Sequence, residues 1–121
     1  MNKPKTLNIG EDSLAVQRIP EKDLRILVVE YLVALGYQVW RIENMVHPRA
    51  GTVGVPDLYV FRQGFGGWIE LKGTYRKSHL KPEQVLRGME LQVNGIPYLV
   101  ARSVDDVREW LQQHGQRTEL D

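Results

Sequence analysis

The sequence predicts an α/β domain: a mixed sheet of about four strands flanked by helices, in the order α-β-β-β-α-β-α. Three observations carry this expectation. Apolar residues recur at helical spacing in three segments, short β-rich runs lie between them, and glycine or proline marks most of the joints. Residues 1–19 show little periodicity and read as an N-terminal arm. Pro20 suits a first helical position, and Glu21 and Asp23 place negative charge where the macrodipole favours it. Leu24, Leu27, Val28, Tyr31, Leu32 and Leu35 then define a helix over 20–35, stopped by Gly36. Ile26, Val29 and Val33 widen its apolar stripe, which implies cover on more than one side. QVWRIE (38–43) is a strand, and NMVHPRAGTVGVP (44–56) reads as loop. DLYVF (57–61) and WIELK (68–72) form a hairpin around a turn at QGFGG (63–67). A second helix runs over 82–93, with Pro82 near its start and Gly95 beyond its end. IPYLVA (96–101) is the last strand, and Ser103 caps a final helix whose inner face carries Val104, Val107, Trp110 and Leu111. The domain is thus expected over 20–114, with a C-terminal tail at 115–121.

The 121 residues suffice for one core, and 42% apolar with 26% charged content is that of an ordinary globular protein. No apolar run approaches the length of a membrane span, and the first residues lack a signal-peptide core. There is no cysteine, which excludes disulfides and thiolate metal sites. A cytoplasmic protein without membrane association is the expectation. The net charge of +1 identifies no polyanion binder. Its distribution is more informative: KGTYRKSHLK (72–81) carries Lys72, Arg76, Lys77, His79 and Lys81 and no acid. That run is either a solvated loop or a phosphate-contacting one, and it directly follows the strand that carries the candidate chemistry.

In strand 68–72, Ile69 and Leu71 point to one face, and Glu70 and Lys72 to the other, about 7 Å apart. Asp57 opens the preceding strand, so the hairpin can bring it to Glu70. Two adjacent carboxylates repel, and burying them is costly unless a cation compensates. Oxygen ligands of this kind suit Mg²⁺, with Mn²⁺ as a substitute, and Mg²⁺ needs only one or two carboxylates. A lysine beside the metal-bound water can orient it or stabilise developing charge. The alternative is a turn residue after Pro56 and an exposed cross-strand polar pair. Glu21 shares a helical face with Leu24, Val28 and Leu32, and is either a dipole partner or a third acid reaching the site. Gln84 is either a capping side chain or an amide that binds water or phosphate.

With these residues assembled, the sequence resembles the VRR-NUC branch of the PD-(D/E)XK nucleases, a family of bacterial and bacteriophage proteins. The resemblance spans about residues 21–111. It rests on GVPDLYVF (54–61), WIELKG (68–73), LKPEQ (80–84) and NGIPYLVARSVDDV (94–107). It implies a restriction-endonuclease-like core, metal binding by Asp57 and Glu70, a catalytic Lys72, and an assisting Gln84. Glu21 corresponds by its spacing to Gly36 to the family's helix-one glutamate. The implied activity is Mg²⁺-dependent endonucleolytic hydrolysis of DNA in a bacterial or phage-infected cell. Arg76, Lys77, His79 and Lys81 are the expected DNA contacts. Small members resemble homodimers acting on branched substrates such as four-way (Holliday) junctions. The competing class is a nucleic-acid-binding module that keeps the fold without catalysis, for which paired acids beside a polyanion would serve no purpose. No phosphate-binding glycine loop, dinucleotide fingerprint or Ser-His-Asp pattern is evident, and His47, His79 and His114 lack zinc-ligand spacing.

Overall fold

The structure is a computed structural model that describes residues 19–42, 53–74 and 79–120. Its elements are α1 (Glu21–Ala34), β1 (Gln38–Arg41), β2 (Leu58–Arg62), β3 (Phe65–Leu71), α2 (Pro82–Val93), β4 (Tyr98–Ala101) and α3 (Val104–Gln113). This is the expected α-β-β-β-α-β-α order. The strands form one sheet, β1-β2-β3-β4, antiparallel between the first three and parallel between β3 and β4. The parallel step needs a crossover, and α2 supplies it.

One sheet face is the core. Leu24, Val28 and Leu32 recur every fourth residue on α1 and are fully buried against Leu58, Val60, Ile69, Leu71 and Ala101. Val107, Trp110 and Leu111 of α3 complete the same cluster. Each such side chain contributes about 1.5–3 kcal/mol on burial. The α1 stripe is narrower than its sequence suggests: Leu27, Ile26 and Val33 are exposed, while Val29 is partly buried against the core. Gly36, with φ of 94°, ends α1 as expected. Ser103 caps α3 by accepting from the Asp106 amide at 3.0 Å. After α3, the carbonyls of Arg117 and Thr118 accept from the Tyr37 and Tyr31 hydroxyls, each at 2.7 Å, which fastens this segment to α1 and to the turn that follows it.

The hairpin turn expected at 63–67 is shorter than expected. Only Gln63 and Gly64 turn, with φ of 46° and 87°, the pair of positive angles that matches the strand twist. Phe65, Gly66 and Gly67 belong to β3. The two glycines are there for space, since a Cβ on Gly66 would lie 2.3 Å from the Tyr59 hydroxyl and one on Gly67 2.7 Å from the Trp110 ring. The first strand ends at Arg41 rather than 43, and β4 begins at Tyr98 rather than 96. Ile96 is spent instead in closing α2, its amide donating to the Leu91 carbonyl at 2.9 Å.

Candidate active site

The opposite face of the sheet carries the polar chemistry. The register pairs Leu58 with Ile69, which sets Asp57, one residue before the ladder begins, beside Glu70 and Leu71. Asp57 Oδ2 accepts from the Leu71 amide at 2.7 Å, so the side chain occupies a position that a further strand residue would otherwise fill. Glu70 and Lys72 are both buried, at 1% and 7% exposure, which rules out the exposed cross-strand pair. One Glu70 oxygen, Oε2, accepts from Gln84 Nε2 at 3.0 Å. The other, Oε1, is buried with no hydrogen-bond donor on it.

Burial pushes the Glu70 carboxyl up to about 8, and the neighbouring charge and hydrogen bonding of Asp57 push in the same direction. Lys72 opposes the shift in part, and Glu21 adds to it. Glu21 therefore reaches the site electrostatically from the first turn of α1. A carboxyl pushed toward its neutral form by burial first and by a second acid next, with one buried oxygen lacking a donor, is the situation a divalent cation relieves. Two carboxylates fit Mg²⁺, whose remaining positions go to water and phosphate. Among the described residues no three acidic or histidine side chains converge on one point, so Asp57 and Glu70 stand as a pair.

Gln84 is the capping side chain that one of its two expected readings gave, and it also contacts the acid. Its Oε1 accepts from the Lys81 amide at 2.8 Å, capping α2, and its Nε2 is thereby turned toward Glu70. The cap fixes which end of the amide faces the acid. Two close approaches hold α2 in place for this. A Cβ on Gly88 would lie 2.7 Å from the Tyr98 ring, and one on Gly54 only 2.4 Å from the Glu83 carbonyl. His79 and Lys81 are exposed beside the start of α2. Arg76 and Lys77 lie outside the described residues, as do His47 and most of the expected N-terminal arm.

Sequence reasoning missed Tyr98. It read only as a strand residue, yet it pairs in register with Trp68 on the site face, beneath α2. Burial first, then the charges of Glu70 and Asp57, push its hydroxyl up to about 12. The signal lay in alternation along β4, which puts Leu99 and Ala101 in the core and Tyr98 opposite.

The fold is a mixed four-stranded α/β sheet that carries Asp57 just before β2, Glu70 on β3 and Lys72 just after it, the last two buried. Among solved structures, a chain described as a VRR_NUC domain shares it, with a TM-score of 0.61 and 24% identity over 78% of this chain and 95% of that one. The fold expected from the sequence resemblance is thus the fold found. No protein-family model matches the chain, and no curated protein matches it. No described helix is long and apolar enough to cross a membrane.

Proposed function

We propose that the chain is a VRR-NUC endonuclease that hydrolyses DNA phosphodiester bonds with Mg²⁺, acting as a homodimer on branched DNA. The observation that carries the reading is Glu70: a buried carboxylate beside Asp57 and Lys72, with one oxygen orphaned. A structural role would favour an apolar residue there, because an uncompensated buried carboxyl is destabilising.

Asp57 and Glu70 would hold the metal, and Mn²⁺ would substitute for Mg²⁺. Bound there, the cation acidifies a coordinated water and withdraws charge from the phosphate. The chain's own residues do the rest. Asp57 is fixed by the Leu71 amide and Glu70 by the Gln84 amide, so neither carboxylate must be ordered when substrate arrives. Lys72, buried on the same face two residues beyond Glu70, would bring its ammonium to the attacking water and the scissile phosphate. There it orients the water and offsets the charge that grows on phosphorus oxygens as the P–O bond to the leaving sugar breaks. Arg76, Lys77, His79 and Lys81, from the basic run before α2, are the proposed phosphate contacts.

Incubation with linear, flapped and four-way DNA, with Mg²⁺ or with chelator, tests the reading. Cleavage that requires the metal and is lost in Glu70→Gln is the expected result. DNA binding without cleavage of any substrate, in Mg²⁺ and in Mn²⁺, would replace it with the non-catalytic binding module.

A further inference from the structure

One rung of the sheet is aromatic from edge to edge. The register sets Trp40 opposite Tyr59, Tyr59 opposite Trp68, and Trp68 opposite Tyr98, all on the face that carries Glu70. The rings follow one another, with centroids 6.0 Å apart for Trp40 and Tyr59 and 4.9 Å apart for Tyr59 and Trp68. Helix α2 crosses the Tyr98 end, where Gly88 admits it, while Trp40 at the other end is 49% exposed. Beside α2, Trp68 lines a cleft of about 400 Å³ together with Pro56, Arg87, Glu90, Asn94 and Ile96.

This cleft adjoins the acid pair twice over. Pro56 precedes Asp57, and Trp68 stands two residues before Glu70 on the same face, about 7 Å away along the strand. Its polar groups come from α2. Arg87 and Glu90 are paired with each other at 2.9 Å, and Asn94 Nδ2 donates to the Glu90 carbonyl at 2.8 Å. The paired charges cancel, so the cleft selects no phosphate. It suits a ligand that is flat, uncharged and polar along one edge.

We propose that the cleft takes a nucleobase, unstacked from the DNA strand and laid on Trp68, beside the phosphate held at Asp57 and Glu70. The proposal rests on the nuclease reading above and names what that site reads: an unpaired nucleotide next to the cut. Three features choose this occupant. The cleft is continuous with the acid site, so a strand with a phosphate there brings a neighbouring base to Trp68. An indole backed by the Tyr59 ring offers a stacking face to any base, which fits recognition without sequence preference. The Glu90 carboxylate and the Asn94 amide line the same cleft and can meet the hydrogen-bonding edge of a base. A base inside a duplex enters only by losing its stacking and its pair, a cost that is least where it is already unpaired. The cleft would thus favour branch points, flaps and single strands over continuous duplex.

Abasic DNA tests this on the wild-type chain. Flapped DNA is bound in Ca²⁺, with the base removed from each unpaired nucleotide beside the branch in turn. At one position the affinity should fall at least about fivefold, the lower end of what one base–aromatic contact contributes. Trp68→Leu should bind the intact flap as weakly and show no further loss with the abasic one, and Trp68→Phe should restore most of the affinity. 2-Aminopurine at that position should be quenched on binding the wild type and not on binding Trp68→Leu. Abasic DNA bound as tightly as intact DNA at every position overturns the subsite, and metal-dependent cleavage of the same DNA would leave the nuclease reading standing. An intrinsic fluorescence that shifts on diluting the DNA-free protein, and no longer does so in Trp68→Phe, gives the cleft to a second copy and also overturns the subsite. A chain that binds none of these DNAs overturns both readings.

Discussion

Replacing Glu70 by glutamine should stabilise the metal-free protein at alkaline pH while abolishing cleavage. In the folded chain the Glu70 carboxyl keeps its proton until about pH 8, against an ordinary value of 4.5. A carboxyl whose folded value is raised contributes its full stability below the unfolded value and loses it as pH rises through the folded one. Between pH 4.5 and about 8 the folded state therefore holds the extra proton, and metal-free stability falls with pH. At about 1.4 kcal/mol per unit the interval sets a ceiling near 5 kcal/mol. Relaxation of the pair and water entry reduce this, so about 2–3 kcal/mol is expected. Glutamine at 70 is neutral at every pH; its oxygen still accepts from Gln84, and its amino group can donate toward Asp57. The two proteins should melt together near pH 5, and at pH 9 the variant should melt roughly 8–12 °C higher, given the unfolding entropy of a chain this long. Thermal melts in chelator across pH 5 to 9 read the difference directly. Adding Mg²⁺ at high pH should restore the wild type and leave the variant unmoved. A melting difference that stays constant with pH, or a wild type that is the more stable at pH 9, would refute the argument.

Lys72→Ala should keep most of its DNA affinity in Ca²⁺ yet lose at least about a hundredfold in single-turnover rate with Mg²⁺, the usual scale for one well-placed charged donor. Gly88→Ala sets a methyl group 2.7 Å from the Tyr98 ring, lifting α2; denaturant melts should show a loss of about 1–3 kcal/mol, with activity falling further than stability because Gln84 leaves Glu70. Calorimetry with Mn²⁺ should detect binding to the wild type and none to the Asp57→Ala, Glu70→Ala double variant. Arg76→Ala with Lys77→Ala should flatten the salt dependence of DNA binding by roughly one to two units on any sequence.

What the sequence made legible was whatever depends on periodicity and spacing. The element order followed from the 3.6- and 2-residue patterns, and the approach of Asp57 to Glu70 followed from the hairpin, although it is the two-residue turn at Gln63 and Gly64 that sets them directly opposite. Less visible were features set by contacts between distant segments. Gly66 and Gly67 read as turn because glycine usually is; their true reason, room for Tyr59 and Trp110, exists only once the sheet and α3 meet. Leu27, Ile26 and Val33 read as core because periodicity reports apolarity and not what stands opposite. Gln84 offered a cap or a water- or phosphate-binding amide; the fold shows the cap, and its bond to Glu70 depends on α2 lying over the sheet, which no local pattern reports. Tyr98 was silent because its importance comes from α2 passing over it.

The bond from the Leu71 amide to Asp57 has a consequence for anyone preparing an inactive derivative. Asp57 is the last rung of the sheet as well as a proposed metal ligand, so Asp57→Ala strips an acceptor from the Leu71 amide. Such an orphan costs about 1–3 kcal/mol. Lost cleavage in that variant would then mix damaged architecture with missing chemistry. Asparagine keeps an oxygen for the amide and removes the charge, which makes Asp57→Asn the cleaner dead enzyme for trapping substrate. The same bond ties two histories together: a descendant that abandoned catalysis would still be under pressure to keep an oxygen at position 57, so an acid or amide surviving there is weak testimony that a relative still cuts.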